Sequence, residues 1–244
     1  MTSSVAGAAP APPLAAAAPS PVRVFGPFVL LALAGVAGAM AWALLQAPLE
    51  ATQGAAQKIF YVHVPSAIVG QYLAAPLIAI GGALYLWLKD ERLDRLAESA
   101  AELALLFLSL VLVTGPLWGK PIWGTWWTWD ARLTTTLFLW FLVLGYLVLR
   151  SAIEDREQRG RYSAVLGIVA ALVVPFNHLT VRLFRTLHPQ PIVIQPDKPN
   201  MTSEMTMAFL VALAAFAVLF VALLRVRMAY AKLRDDVEAR EALA

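Results

Sequence analysis

Past the Ala/Pro-rich residues 1–22, charged side chains divide the sequence into six long uncharged runs, at residues 24–49, 59–88, 103–119, 133–149, 162–181 and 205–224. About 20 mainly apolar residues cross a hydrocarbon core of about 30 Å, so each run predicts one membrane-spanning helix. The runs at 103–119 and 133–149 hold 17 residues each. They sit at the short limit and predict helices that stand upright or are lengthened by neighbouring polar turns. No run alternates apolar and polar residues over strand lengths, which excludes an outer-membrane barrel. The pattern therefore predicts an all-α polytopic membrane protein, a six-transmembrane helix bundle.

Composition agrees: 60% of residues are hydrophobic and 14% charged, against roughly 45–50% and about 25% in soluble domains. A water-soluble globule is excluded. Within the spans, Pro76, Pro116 and Pro175 are expected to kink or locally break a helix where neighbours cover the freed carbonyl. Gly35 with Ala39, and Gly81 ahead of Tyr85, supply small residues for close helix approach.

Six spans put both termini on one side, together with the connections near 89–102 and 150–161. That side carries 13 of the 19 Lys and Arg residues and the other side six. The positive-inside rule then puts the termini in the cytoplasm and leaves extracytoplasmic loops near 47–61, 118–133 and 180–203. The basic excess is an orientation signal, and no nucleic-acid partner follows from it. Residues 1–22 are mainly Ala, Pro and Ser with no basic residue before Arg23, and read as a disordered leader rather than a cleaved signal peptide. Residues 23–230 read as the six-helix membrane domain. Residues 231–244 read as a cytoplasmic C-terminal tail, part of a charged extension of the sixth helix that starts at Arg225.

Tryptophan is unevenly spread. Trp118, Trp123, Trp126, Trp127 and Trp129, five of the eight, fall in one extracytoplasmic loop and are followed by Asp130 and Arg132. An interfacial belt would spread them over the ends of many helices. One loop that takes most of them favours a platform for a large planar ligand, since each indole offers broad contact and a polar N–H. If 122–134 is helical, Trp123, Trp126, Trp127 and Asp130 share one face and form a shelf at the membrane surface.

All three histidines, His63, His178 and His188, fall on that same outer side. His63 stands two residues before Pro65, a residue suited to the first helical turn, which sets His63 at a helix mouth. His188 precedes Pro189 and is biased towards extended backbone. Both imidazoles are in reach of one point above the Trp shelf. His178, between Pro175 and the end of span five, is expected to hydrogen-bond a carbonyl freed by Pro175.

The chain has no cysteine, which excludes disulfides, thiolate chemistry and covalent haem attachment through Cys-x-x-Cys-His. Two neutral imidazoles suit six-coordinate haem iron. Zinc is the competing metal, and Asp130 or His178 would have to complete its ligand set. Arg132, Arg182 and Arg185 are candidates to pair with the two haem propionates, or else solvate the loops and touch lipid phosphate. A transmembrane redox cytochrome would need His pairs at membrane depth, yet spans three, four and six carry none. A permease subunit without haem would show repeats or midplane polar groups; mid-span polar residues are few, chiefly Ser109, Thr135 and Thr136.

Taken together, Tyr61-Val62-His63-Val64-Pro65, the stretch from Trp118 through Trp123-Gly124-Thr125-Trp126-Trp127-Thr128-Trp129-Asp130 to Thr134, and Thr186-Leu187-His188 resemble the haem exporter C family of cytochrome c maturation, CcmC. The resemblance covers about residues 24–230. It implies a non-enzymatic protein that transiently binds haem b at the periplasmic face of the bacterial inner membrane. It further implies His63 and His188 as axial metal ligands, with the Trp motif, Asp130 and Arg132 against the cofactor. The partners it implies are the periplasmic haem chaperone CcmE and the CcmA, CcmB and CcmD subunits. One departure is Arg182-Leu183-Phe184-Arg185, where the family often carries more tryptophan before the second ligand.

Overall fold

The computed structural model describes residues 24–190 and 201–241. The expected leader at 1–22 lies outside the described residues, as does the end of the tail at 242–244. Among the described residues, six helical segments are long and apolar enough to cross a membrane. The protein is a polytopic helical membrane protein. The only strand-like pairing among those residues is an isolated bridge between Glu50 and Gly54.

The elements are α1 (Pro27–Gln46), α2 (Phe60–Ile68), α3 (Ala75–Leu88), α4 (Glu91–Trp123), α5 (Ala131–Ala152), α6 (Arg156–Leu183) and α7 (Ser203–Glu241). A 3-10 turn (Ala55–Ile59) leads into α2, and a π-helical turn (Val69–Ala74) joins α2 to α3, so this stretch forms one span. Aspartates cap three helices: Asp90, Asp130 and Asp155 accept the backbone N–H groups of Arg92, Leu133 and Gln158 at 2.8, 2.9 and 2.7 Å. These caps explain why the two short apolar runs become longer helices. α4 takes in the charged residues 91–102, and the connection expected near 89–102 shrinks to Lys89 and Asp90. α7 continues unbroken past residue 230 to Glu241.

Pro116 and Pro175 lie inside helices that remain continuous, so neither breaks its helix, and at Pro76 the helix changes character just after the π-turn. Pro65 is interior to α2 rather than in its first turn, because the preceding 3-10 turn starts the helix earlier.

Helix α4 packs on α2, α3, α5 and α7 and is the most buried span. Phe107 and Leu108 from α4 meet Leu139, Val143 and Tyr146 from α5 and Phe216 from α7 in the main core. Helix α3 is clamped between α4 and α6 by glycine contacts. A Cβ at Gly81 would stand 3.0 Å from the Leu93 carbonyl oxygen, and one at Gly82 3.0 Å from the Ala164 Cα. Gly35, by contrast, has nothing within 4 Å, so it does not serve the close approach expected of it.

At the end of the bundle away from the Trp-rich loop, charged side chains are buried against one another. Arg150 on α5 forks onto Asp94 at 2.7 and 2.8 Å and reaches Glu98 at 3.2 Å, while Arg234 on α7 grips Glu98 at 2.7 and 2.9 Å. This ties α4, α5 and α7 through paired charges, the only form in which such groups are tolerated away from water.

Candidate functional site

At the opposite end, α2, the π-turn, α4, the start of α5 and the end of α6 enclose a cavity of about 310 Å³, over which residues 187–190 fold as a flap. His63, His178 and His188 all line it. Two histidines distant in sequence are thus brought into one space by the docking of the loop after α6 onto the mouth of α2 and α4. Gln190 anchors that loop, its side-chain amide donating to the Val181 carbonyl at 2.6 Å.

Hydrogen bonds fix the tautomers of the two candidate ligands. Thr114 on α4 donates its hydroxyl proton to the Leu110 carbonyl at 2.6 Å, so its oxygen accepts from His63 Nδ1–H at 2.9 Å. His188 Nδ1 lies 2.9 Å from the Pro189 carbonyl, which only accepts, so here too Nδ1 carries the proton. In both rings Nε2 keeps its lone pair and has no hydrogen-bond partner among the described residues. Burial, helped by the Arg132 guanidinium, pushes the His188 imidazole down to about 4, so it is neutral at physiological pH. Room for the His63 ring comes from Gly115, where a Cβ would stand 3.3 Å from His63 Cε1.

Of the tryptophans, Trp118, Trp123 and Trp127 line the cavity. The edge of Trp118 meets His63, with ring centroids 5.7 Å apart, while its indole N–H donates to Gln53 Oε1 at 2.9 Å. Trp123 lies against Gly119, where a Cβ would fall 2.9 Å from the indole. The Trp127 indole N–H is buried without a partner among the described residues, an idle donor on the cavity wall. Trp126 and Trp129 are 56% and 76% exposed and do not line the cavity.

The continuous helical shelf expected over 122–134 does not form. α4 stops at Trp123 because Gly124 takes a left-handed conformation (φ 74°), and residues 124–130 are irregular until Asp130 starts α5. The aromatic wall is therefore made by a helix end and a loop, not by one helix face. Asp130 does not line the cavity; it is the N-cap of α5 and accepts the Thr128 hydroxyl at 3.3 Å.

Arg132 does line the cavity, whereas Arg182 and Arg185 are exposed and do not. The Arg132 guanidinium reaches back into the bundle and donates to the Asn177 carbonyl at 2.8 Å. Asn177, wholly buried, returns the grip on α5 through the Arg132 carbonyl and the hydroxyls of Thr135 and Thr136 at 3.1, 2.7 and 2.9 Å. His178 was expected to bond a carbonyl freed by Pro175. Its Nδ1 instead lies 2.8 Å from the Tyr72 hydroxyl, because the π-turn brings Tyr72 round to face α6. Among the described residues, no group of three or more His, Asp or Glu is disposed to hold a metal ion, so the geometry zinc requires is not formed there.

The sequence reading missed Thr114, Gly115, Gln71 and Tyr72, all of which touch His63 or line the cavity. A signal existed for Gln71, which follows His63 by two helical turns inside an apolar run. None existed for Thr114 and Gly115, whose role depends on which helix lies opposite.

A family model described as Heme exporter protein C matches residues 14–243. The chain is similar to Heme exporter protein C of Haemophilus influenzae, 37% identical over 213 residues, covering 86% of this chain and 85% of the relative. It is also similar to that of Bradyrhizobium diazoefficiens, 35% identical over 177 residues, covering 72% and 67%, and to that of Escherichia coli K12, 39% identical over 150 residues, covering 60% of each. A six-span bundle whose whole length follows this family in sequence belongs to the Heme exporter protein C family.

Proposed function

We propose that this chain binds haem in the cavity, with His63 and His188 as the two axial ligands through Nε2 and Trp118, Trp123 and Trp127 against the macrocycle. The observation that carries the reading is the pair of neutral imidazoles facing one space, each with Nδ1–H engaged and Nε2 open. Outer partners of this kind fix ring orientation and raise ligand basicity. The donor set also suits a porphyrin, since the walls are largely aromatic and aliphatic with a few polar groups at the ends. Asp130 acts by setting the start of α5, and Trp126 and Trp129 form an exposed rim beside the mouth.

The haem is cargo. In this reading the chain sits in the bacterial inner membrane with both termini cytoplasmic and the cavity at the periplasmic face. It is a carrier rather than an enzyme: it holds haem b transiently and delivers it to CcmE during cytochrome c maturation, in an assembly with CcmA, CcmB and CcmD. The family membership and the half-open cavity support this.

Adding haem to the purified chain in detergent should give low-spin bis-imidazole bands, and the His63→Ala, His188→Ala double variant should lose them. Unchanged bands in that variant would rule out the ligation. Apomyoglobin should strip the haem readily, and haem that resists extraction would point instead to a resident redox cofactor.

A further inference from the structure

The two candidate ligands are held by very different means. His63 is buried on α2 and its Nδ1–H reaches Thr114 on α4 at 2.9 Å, so moving its Nε2 means shifting one packed helix against another. His188 lies in the segment that follows α6, where no residue from Arg182 to Gln190 is buried. Both hydrogen bonds that His188 makes are local: its backbone N–H donates to the Thr186 hydroxyl at 3.0 Å and its Nδ1–H to the Pro189 carbonyl at 2.9 Å. Among the described residues, the one hydrogen bond that returns 185–190 to the helices is that of the Gln190 amide to the Val181 carbonyl at 2.6 Å. Helix α6 ends at Leu183, so this carbonyl belongs to the last helical turn, whose C=O groups find no partner within the helix. Its neighbour, the Thr180 carbonyl, takes the Phe184 N–H at 2.9 Å. Pro189, its φ fixed by the ring, couples Gln190 stiffly to His188.

We infer that Gln190 is a positioning residue for His188, and that its clasp on the end of α6 is the latch that sets how fast the cargo leaves: the clasp opens, His188 comes off the iron first, and His63 lets go last. The inference rests on the haem reading of the cavity. A segment without buried apolar residues opens at little cost, whereas packed helices part only at a cost close to that of global unfolding. The asymmetry between the two ligands therefore fixes the order of their loss. When the clasp opens, the bond between iron and His188 Nε2 breaks with its electron pair returning to the imidazole, and the ring swings out with 185–190. No electron or proton has to be supplied. The iron stays on His63 with its other axial position bare beneath the lifted flap, where a ligand from an acceptor protein takes it. Neither Gln190 nor Thr186 needs to touch the cargo for this; the one holds the flap to α6 and the other holds the His188 backbone within it.

The test follows transfer of ferric haem from the full chain in detergent to excess apomyoglobin, by stopped-flow absorbance. Gln190→Glu keeps the side-chain shape but replaces the donor with a carboxylate, which the negative end of α6 repels. A hydrogen bond of this kind is worth roughly three- to tenfold in an equilibrium. The variant should therefore show a larger high-spin fraction and hand over haem about three to ten times faster than the wild type. Gln190→Lys, which returns a donor to the last carbonyls of α6, should bring both readouts back towards the wild type. Placed in a His188→Ala chain, Gln190→Glu should change neither readout, because the ligand it positions is gone. Wild-type spectra and rates in Gln190→Glu overturn the latch. So does an equal acceleration in the His188→Ala chain, which would make Gln190 a residue of the fold alone. A raised high-spin fraction with unchanged transfer overturns the order of ligand loss. Failure of the ligation reading is seen separately, as low-spin bands that survive the loss of both His63 and His188.

Discussion

Thr114 is the most informative residue to change, because it acts on the proposed ligation without touching the cargo. Its hydroxyl donates to the Leu110 carbonyl and accepts from His63 Nδ1–H at 2.9 Å. Thr114→Val keeps the side-chain shape and removes the acceptor. Leu110 loses little, since its carbonyl remains within the α4 hydrogen-bond ladder. His63, only 9% exposed, keeps a sheltered N–H with no acceptor, which costs about 1–3 kcal/mol, or is free to rotate or change tautomer and so withdraw Nε2. Outer-partner losses of this kind lower metal affinity by about 10–100-fold, which at about 1.4 kcal/mol per tenfold falls inside that cost. Absorbance titration of the purified variant with haem should therefore show a dissociation constant raised by about one to two decades. Thr114→Ser, which keeps the hydroxyl, should bind as the wild type does. A Val variant that binds haem with undiminished affinity, or a Ser variant as impaired as Val, would refute the tautomer argument.

Two further substitutions test other parts of the architecture. Gly119→Ala inserts a methyl 2.9 Å from the Trp123 ring, so the indole should leave the wall. Changed tryptophan fluorescence and roughly tenfold weaker haem binding, about 1.4 kcal/mol, should accompany unchanged helicity by circular dichroism. Arg150→Met strands Asp94 and leaves Glu98 with Arg234 alone. Removing one partner of a buried ionic group costs about 3–5 kcal/mol, so the detergent-solubilised variant should melt well below the wild type, and Arg150→Lys should restore little because it cannot fork onto Asp94.

The six spans were legible because charge placement alone bounds them: Glu102 and Lys120 bracket one run, Arg132 and Arg150 the next. The ends of the helices were less so. Where Asp90 and Asp130 would cap depends on local backbone, and capping carried α4 across a charged stretch that hydropathy assigns to a connection. Gly124 was a visible interruption in the Trp motif, yet the helical spacing of Trp123, Trp126 and Trp127 suggested a shelf; the left-handed turn at Gly124 won. Pro65 looked like a helix start, but the 3-10 turn over Ala55–Ile59, entered through Gly54 at φ 55°, moved that start upstream.

The sequence by itself determined the number of spans, the clustering of five tryptophans beside one loop, and the three histidines on one side of the bundle. Those features follow from composition and spacing, which a membrane reads directly. Tertiary structure decided which of these residues share a space. Only the packing of α4 on α2 set Thr114 and Gly115 against His63, and only the π-turn turned Tyr72 towards His178. Only the fold of residues 187–190 over the bundle end brought His188 into the cavity with His63, and only the clasp of Asn177 on α5 aimed Arg132 inward while Arg182 and Arg185 stayed outside. The reason is physical: apolar patterning fixes which residues leave water, but a tautomer, a close approach or a sheltered charge depends on the atom opposite, and that atom lies on another helix.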